Sequence, residues 1–257
     1  MKNTVIFGLI FIHFIESCGQ GVNQRGKESI ATLTQSNLDT AKKDAIINPS
    51  GNTLGERVLP PPGFQRIKSD ENSFANYLRQ LPLKPHGSSV TLYDGNIKPN
   101  YDVYDAVVGL DIGRKDLHQC ADAVMRLRAE YLWNQKQYDK IHFNLTNGFR
   151  ADYAEWMKGK RIVLNGNSTF WKQTGKPSNT FNDFWKYLEF IFTYAGTLSL
   201  SKELKDINID DLKTGDIFIQ GGSPGHAVIV VDVALNTVSN KKVFLLAQSY
   251  VTSSVCS

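Results

Sequence analysis

The stretch Gly215-Asp216-Ile217-Phe218-Ile219-Gln220-Gly221-Gly222-Ser223-Pro224-Gly225-His226-Ala227-Val228-Ile229-Val230-Val231-Asp232 sets two apolar runs on either side of a glycine-rich turn. Runs of this length, rich in Ile, Val and Phe and bounded by Gly and Pro, read as strands. With Lys242 to Ala247 behind them, Asp216 to Ile219 and Ala227 to Val233 predict three consecutive strands of one antiparallel sheet. His226 stands at the mouth of the second, where the glycines before it are expected to leave open space.

Upstream the apolar period lengthens to that of a helix. From about Leu117 to Gln135, Val124, Met125, Leu127, Tyr131 and Leu132 recur three and four residues apart, leaving Asp122, Arg126 and Glu130 for other faces. Asp116 fits an N-cap, with Gln119 three residues later approximating a capping box, so Cys120 falls in or just past the first turn. A helix is expected at Ser73 to Leu81, extended segments at Ser89 to Tyr93 and Val103 to Val108, and strands at Ile141 to Leu145 and Arg161 to Leu164. Ala151 to Met157 reads as a short helix, and Thr180 to Tyr194 as an aromatic-rich one closed by Gly196 as C-cap. Helices first and sheet last predict an α+β fold.

A chain of 257 residues with a hydrophobic share of 41% can bury one full core. Its net charge of +4 comes from scattered Lys and Arg rather than a stripe, which argues against nucleic acid as a partner. Three cysteines are an odd count for a disulfide framework. Asp116, His118, Cys120 and Asp122 cluster locally, but residues two apart on a helix do not face each other and no CxxC or HExxH pattern accompanies them. No metal and no cofactor is expected, and His118 and Asp122 read as solvated neighbours of the thiol or as its helpers.

The first residues form a basic start, Met1-Lys2-Asn3-Thr4, and an apolar run from Val5 to Ile15 that is short for a membrane span, so residues 1–17 read as a signal peptide. Ile15-Glu16-Ser17-Cys18 resembles the lipobox of bacterial lipoproteins, which implies lipidation of Cys18 and a protein anchored in the cell envelope. The alternative is an ordinary secretory signal in which Cys18 is incidental. Residues 18–55 are polar and poor in aromatics and are expected to be a disordered tether, with folded sequence beginning near Leu59 in a single α+β domain over residues 56–257.

A thiol at a helix N-terminus meets exposed N–H groups and partial positive charge that favour thiolate, and an imidazole on a neighbouring strand can take its proton. The next strand offers Gln248 to orient that imidazole. Cys120, His226 and Gln248 are therefore the candidate catalytic residues. Each has a plainer reading: a buried core thiol, a strand cap, and a glutamine that satisfies nearby backbone groups. Among Trp156, Trp171, Trp185, Tyr194 and their Phe neighbours, most are expected in the core and a minority in a substrate groove.

The order helix, strand, following strand resembles the papain-like superfamily, above all its NlpC-type and CHAP-type cell-wall branches. The resemblance implies an antiparallel sheet packed on an N-terminal nucleophile helix and a cysteine peptidase or amidase acting on peptidoglycan peptides or related amides. The chain departs from those branches where their nucleophile motif reads Asp-Cys-Ser and this one reads Gln119-Cys120-Ala121-Asp122. The long interval from Cys120 to His226 also calls for an insertion, expected here to be helical.

A second resemblance covers most of the chain from Leu59. The segments Asp116 to Arg128, Pro224 to Asp232 and Leu246 to Tyr250 look like the domain-of-unknown-function family four-eight-four-six of bacterial lipoproteins. That family implies no activity, and its members usually continue beyond Tyr250 where this sequence runs on only through Val251 to Ser257, which leaves a frameshifted or truncated copy open as a reading of the C-terminus. The function expected is a lipid-anchored cysteine hydrolase of the envelope, with a non-catalytic envelope-binding lipoprotein on the same fold as the alternative.

Overall fold

A computed structural model describes residues 46–98 and 104–249 as an α+β protein with small antiparallel sheets. The expected signal peptide, Cys18, residues 18–45 of the tether, Val103, Tyr250 and Val251 to Ser257 lie outside the described residues. In chain order the elements are α1 (Leu54–Arg57), β1 (Gln65–Arg66), α2 (Phe74–Arg79), α3 (Cys120–Asn134), β2 (His142–Asn144), β3 (Arg150–Asp152), α4 (Tyr153–Met157), β4 (Lys160–Asn165), β5 (Ser168–Gln173), α5 (Phe181–Tyr194), α6 (Thr197–Glu203), β6 (Ile217–Gln220), β7 (His226–Asn236) and β8 (Lys241–Ala247). Among the described residues no helix is long and apolar enough to cross a membrane.

The chain divides into two compact units. Among the described residues the first draws on 46–91, 97–98, 104–110 and Val231–Leu245, the second on Leu92–Asn96, Asp111–Val230 and 246–249.

In the first unit the chain is already packed at Ile46, ahead of the start expected near Leu59. Ile46, Leu54 and Val58 are buried. Helix α1 is short enough to need its caps, and a reciprocal capping box supplies them: Thr53 Oγ1 accepts from the Glu56 N–H while Glu56 Oε2 accepts from the Thr53 N–H. Strand β1 pairs antiparallel with the far end of β7, Gln65 against Leu235 and Arg66 against Ala234. On that stretch of β7 the buried Asp232 accepts from Arg66 Nε at 2.6 Å and Arg79 Nε at 2.7 Å. The expected extended segment at Ser89 to Tyr93 and the described part of the one at Val103 to Val108, residues 104–108, are not strands. Their described residues make only the isolated bridges Thr91 to Ile97 and Leu83 to Val108.

The second unit is built on aromatic packing. Phe184, Tyr187, Leu188 and Ile191 of α5 follow the spacing of one helix face and are fully buried. Trp133 of α3 stacks on Phe184 at 5.4 Å, Tyr153 of α4 meets Tyr187 at 5.1 Å, and the Tyr187 hydroxyl donates to the Ala151 carbonyl at 2.8 Å. The stretch between α3 and β6 is α+β rather than the helical insertion expected, because it carries two hairpins, β2 with β3 and β4 with β5. The second hairpin closes over Gly166-Asn167, where Gly166 supplies a positive φ of 56°. Gly196 does not end α5. Its φ of −176° is extended, and it opens α6 instead, donating its N–H to Ser199 Oγ at 3.0 Å.

The three strands expected at the C-terminal end are present. β6 pairs antiparallel with the start of β7, from Ile217 against Ile229 to Gln220 against His226, and β8 pairs with β7.

Removing the Asp232 carboxylate leaves two guanidinium groups facing each other without their shared acceptor. Asp232→Ala is expected to cost about 3 kcal/mol or more in urea denaturation, and Arg66→Ala clearly less because Arg79 remains in place. Equal losses in the two variants would contradict this account of the pair.

Candidate active site

Helix α3 begins later than its periodicity suggests. His118 has a φ of 73°, which no residue of a right-handed helix can adopt, so Leu117 to Gln119 lie outside the helix and Asp116 is not its cap. Gln119 is the N-cap and Cys120 the first helical residue. Asp122 closes the turn, its Oδ2 accepting from the Gln119 N–H at 2.9 Å. At this first position the N–H groups of Cys120 and Ala121 have no partner within the helix.

The backbone N–H groups of Ala227, Ala121 and Cys120 itself bear on the Cys120 thiol in the direction that favours thiolate. Burial outweighs them. Cys120 is 5% exposed, and desolvation, helped by the nearby Asp122 carboxylate, pushes the thiol above its ordinary value. The thiolate expected from the helix terminus is therefore not favoured in the folded chain, and a base would have to take the proton.

His226 is the first residue of β7, directly before the Ala227 whose backbone reaches the thiol. Its Nε2 lies 2.6 Å from Gln248 Oε1. With the amide oxygen as acceptor, Nε2 is the donor, which in the neutral ring makes Nδ1 the nitrogen that can act as a base. Of the glycines before His226, Gly222 faces open space as expected, while Gly221 and Gly225 do not. A side chain at Gly221 would overlap Ser201 of α6, and one at Gly225 would overlap Thr197 and the Gly222 carbonyl. They permit close approach instead, with Thr197 Oγ1 donating to the Gly222 carbonyl at 3.2 Å.

The solvated reading of His118 and Asp122 does not hold, and the polar side of α3 is packed as well. Asp122, Arg126 and His118 are all buried. Arg126 reaches His118 Nε2 at 3.1 Å, the Asp111 carbonyl at 2.6 Å and Glu130 Oε1 at 2.8 Å, with Trp185 4.8 Å beneath its guanidinium. Because a guanidinium only donates, His118 Nε2 is an acceptor and the ring is neutral. The edge of that ring meets Phe192 at 6.0 Å, and the His118 carbonyl accepts from Ser249 Oγ at 2.6 Å. The spacing of apolar residues carries no sign of this cluster, since its members are polar and distant in sequence. Among the described residues no group of three His, Cys, Asp or Glu is disposed to hold a metal ion.

Two opposed titrations follow. Burial, with the Arg126 charge added, lowers His118 from 6.5 to about 4, so its contribution to stability is present above 6.5 and is lost as the pH falls toward 4. Burial raises Asp122 from 3.8 to about 6, so its contribution is present below 3.8 and is lost as the pH rises through 6. Across the shared window the two offset each other. Asp122→Asn is expected to lose stability on acidification from 6.5 to 4, by up to about 3 kcal/mol, and His118→Gln to gain it on acidification from 6 to 3.8. Urea denaturation at stepped pH reads both slopes, and slopes of the same sign would refute the assignment.

No curated protein and no solved structure matches the chain. The profile of the family described as a domain of unknown function (4846) matches residues 54–255, a span that takes in α1 through β8 together with Cys120, His226 and Gln248. It covers well over half of the sequence, and the chain belongs to the domain of unknown function (4846) family.

Proposed function

We propose that this protein is a lipid-anchored cysteine hydrolase of the cell envelope, papain-like in fold, that cleaves an amide in peptidoglycan peptides or a related substrate. The observation that carries the reading is the neighbourhood of Cys120 and His226: the backbone of Ala227, the residue after His226, bears on the thiol, and His226 meets Gln248 Oε1 at 2.6 Å through Nε2. The succession of nucleophile helix, histidine strand and glutamine after the next strand supports a papain-like arrangement.

In this reaction His226 Nδ1 takes the proton of the Cys120 thiol as sulfur attacks the amide carbonyl carbon. The carbonyl electron pair moves onto oxygen, and the N–H groups of Cys120 and Ala121 face the charge that develops there. Collapse breaks the C–N bond, and the proton held by His226 passes to the leaving amine. Water, deprotonated by the same ring, then attacks the thioester, releasing the acid and restoring the thiol. Gln248 keeps the ring in one tautomer throughout. No cofactor is needed. In this reading the membrane attachment is the lipid on Cys18, with two acyl chains giving stable anchoring where one gives only marginal binding.

A second reading has its own observation. The burial that raises the Cys120 thiol suits a non-catalytic envelope-binding lipoprotein as well as a nucleophile awaiting a base.

Purified protein incubated with peptidoglycan peptides separates the two. Cys120→Ala is expected to abolish hydrolysis and His226→Ala to reduce kcat by about 10²-fold or more, while both variants bind peptide and melt close to the parent chain. Undiminished binding with no turnover in the parent chain would establish the binding reading. Anchoring is tested in cells by metabolic fatty-acid labelling and fractionation, in which Cys18→Ala is expected to lose the label and leave the membrane fraction. An unlabelled parent chain would remove the lipid from this account.

A further inference from the structure

Two short segments bracket the candidate site. His118 precedes Cys120 by two residues and Ser249 directly follows Gln248. A hydrogen bond joins them, from Ser249 Oγ to the His118 carbonyl at 2.6 Å. One end of this bond belongs to the segment that delivers the thiol. The other belongs to the segment that delivers the partner of the imidazole.

The His118 end is held firmly. Its φ of 73° is costly for a residue with a side chain, on the order of 1 kcal/mol or more, and persists only where the surroundings determine it. Those surroundings are specific: Arg126 on Nε2, Phe192 against the ring edge, and the Asp111 carbonyl, Glu130 and Trp185 around the guanidinium. The carbonyl offered to Ser249 is therefore a fixed point. Gln248, one residue away, inherits its position from that point, and His226 inherits its ring orientation from Gln248.

We propose that Ser249 and His118 are positioning residues, forming a tie that sets the Gln248–His226 pair in register with Cys120. The proposal rests on the cysteine-hydrolase reading. Neither residue donates to or accepts from a reacting atom, so both act through Gln248. Without the tie Gln248 can still bond the ring, but the pair is free to shift relative to the sulfur, and a shift of about 1 Å at a reacting centre can cost up to about 10²-fold in rate.

The test compares Ser249→Thr with Ser249→Val, two side chains of nearly equal shape of which only Thr keeps the hydroxyl. The readout is alkylation of Cys120 by iodoacetamide from about pH 5 to about pH 9, followed by the mass of the Cys120 peptide, with His226→Ala in parallel. The groups that bear on the thiol across this range are Asp122 on its own helix, His226 beside Ala227, and His118 before the helix with its partner Arg126 within it. Ser249→Val is expected to slow alkylation near neutral pH by about tenfold and to move the profile toward that of His226→Ala, while Ser249→Thr stays within about twofold of the parent chain. The Val and Thr variants should melt alike.

If Val, Thr and parent react alike while His226→Ala is slow, the tie does no positioning and the hydrolase reading stands. If His226→Ala reacts as fast as the parent, the hydrolase reading itself fails, and the proposal with it. If Ser249→Val unfolds while Ser249→Thr folds, the bond is structural and the positioning role is overturned.

Discussion

A strand buried on both faces must account for every polar group it carries, and β7 is such a strand, buried without interruption from Ile229 to Ala234. Its one acid in that run, Asp232, is tolerated because Arg66 and Arg79 converge on it. In the first unit this requirement explains why a two-residue strand and a six-residue helix, neither able to persist alone, are held in place. In the second unit the start of the same strand aligns β6 residue by residue and ends the register at His226. The histidine is thus the terminal rung of a ladder specified by apolar packing, and its location needs no device of its own.

The candidate site shows burial and helix-end electrostatics acting against each other. The first turn of α3 offers N–H groups to the Cys120 sulfur, as a helix terminus should. Enclosure removes the water that would solvate an anion, and that loss is the larger effect. A thiol in this state is quiet until an approaching group accepts its proton. The neutral His118, also enclosed, adds no positive charge to change that balance.

Legibility tracked the kind of signal each element emits. Helix α5 and strands β6, β7 and β8 could be read because burial on one face or along one run imposes a period on the sequence. Cys120, His226 and Gln248 could be named as candidates because chemistry restricts residue type and because the elements that carry or precede them are periodic. The start of α3 was misplaced by three residues because it depends on the left-handed backbone of His118, a conformation stabilised by Arg126 and Phe192 far along the chain. Burial of Asp122 and Arg126 was hidden for the same reason, since polar residues that satisfy each other leave no apolar period. Strand β5 was different. Thr169, Phe170 and Trp171 after Gly166-Asn167 are an ordinary hairpin signal that the reading passed over. Gly196 shows the converse, a glycine whose position suggested a C-cap and whose backbone is simply extended.

The four tryptophans of the chain, Trp133, Trp156, Trp171 and Trp185, all fall within Asp111–Val230, and so within the second unit. Intrinsic fluorescence is consequently a local reporter, blind to melting confined to the first unit, whereas circular dichroism sums over both. Superimposable curves from the two spectroscopies would mark a single cooperative transition, and displaced curves would give each unit a stability of its own.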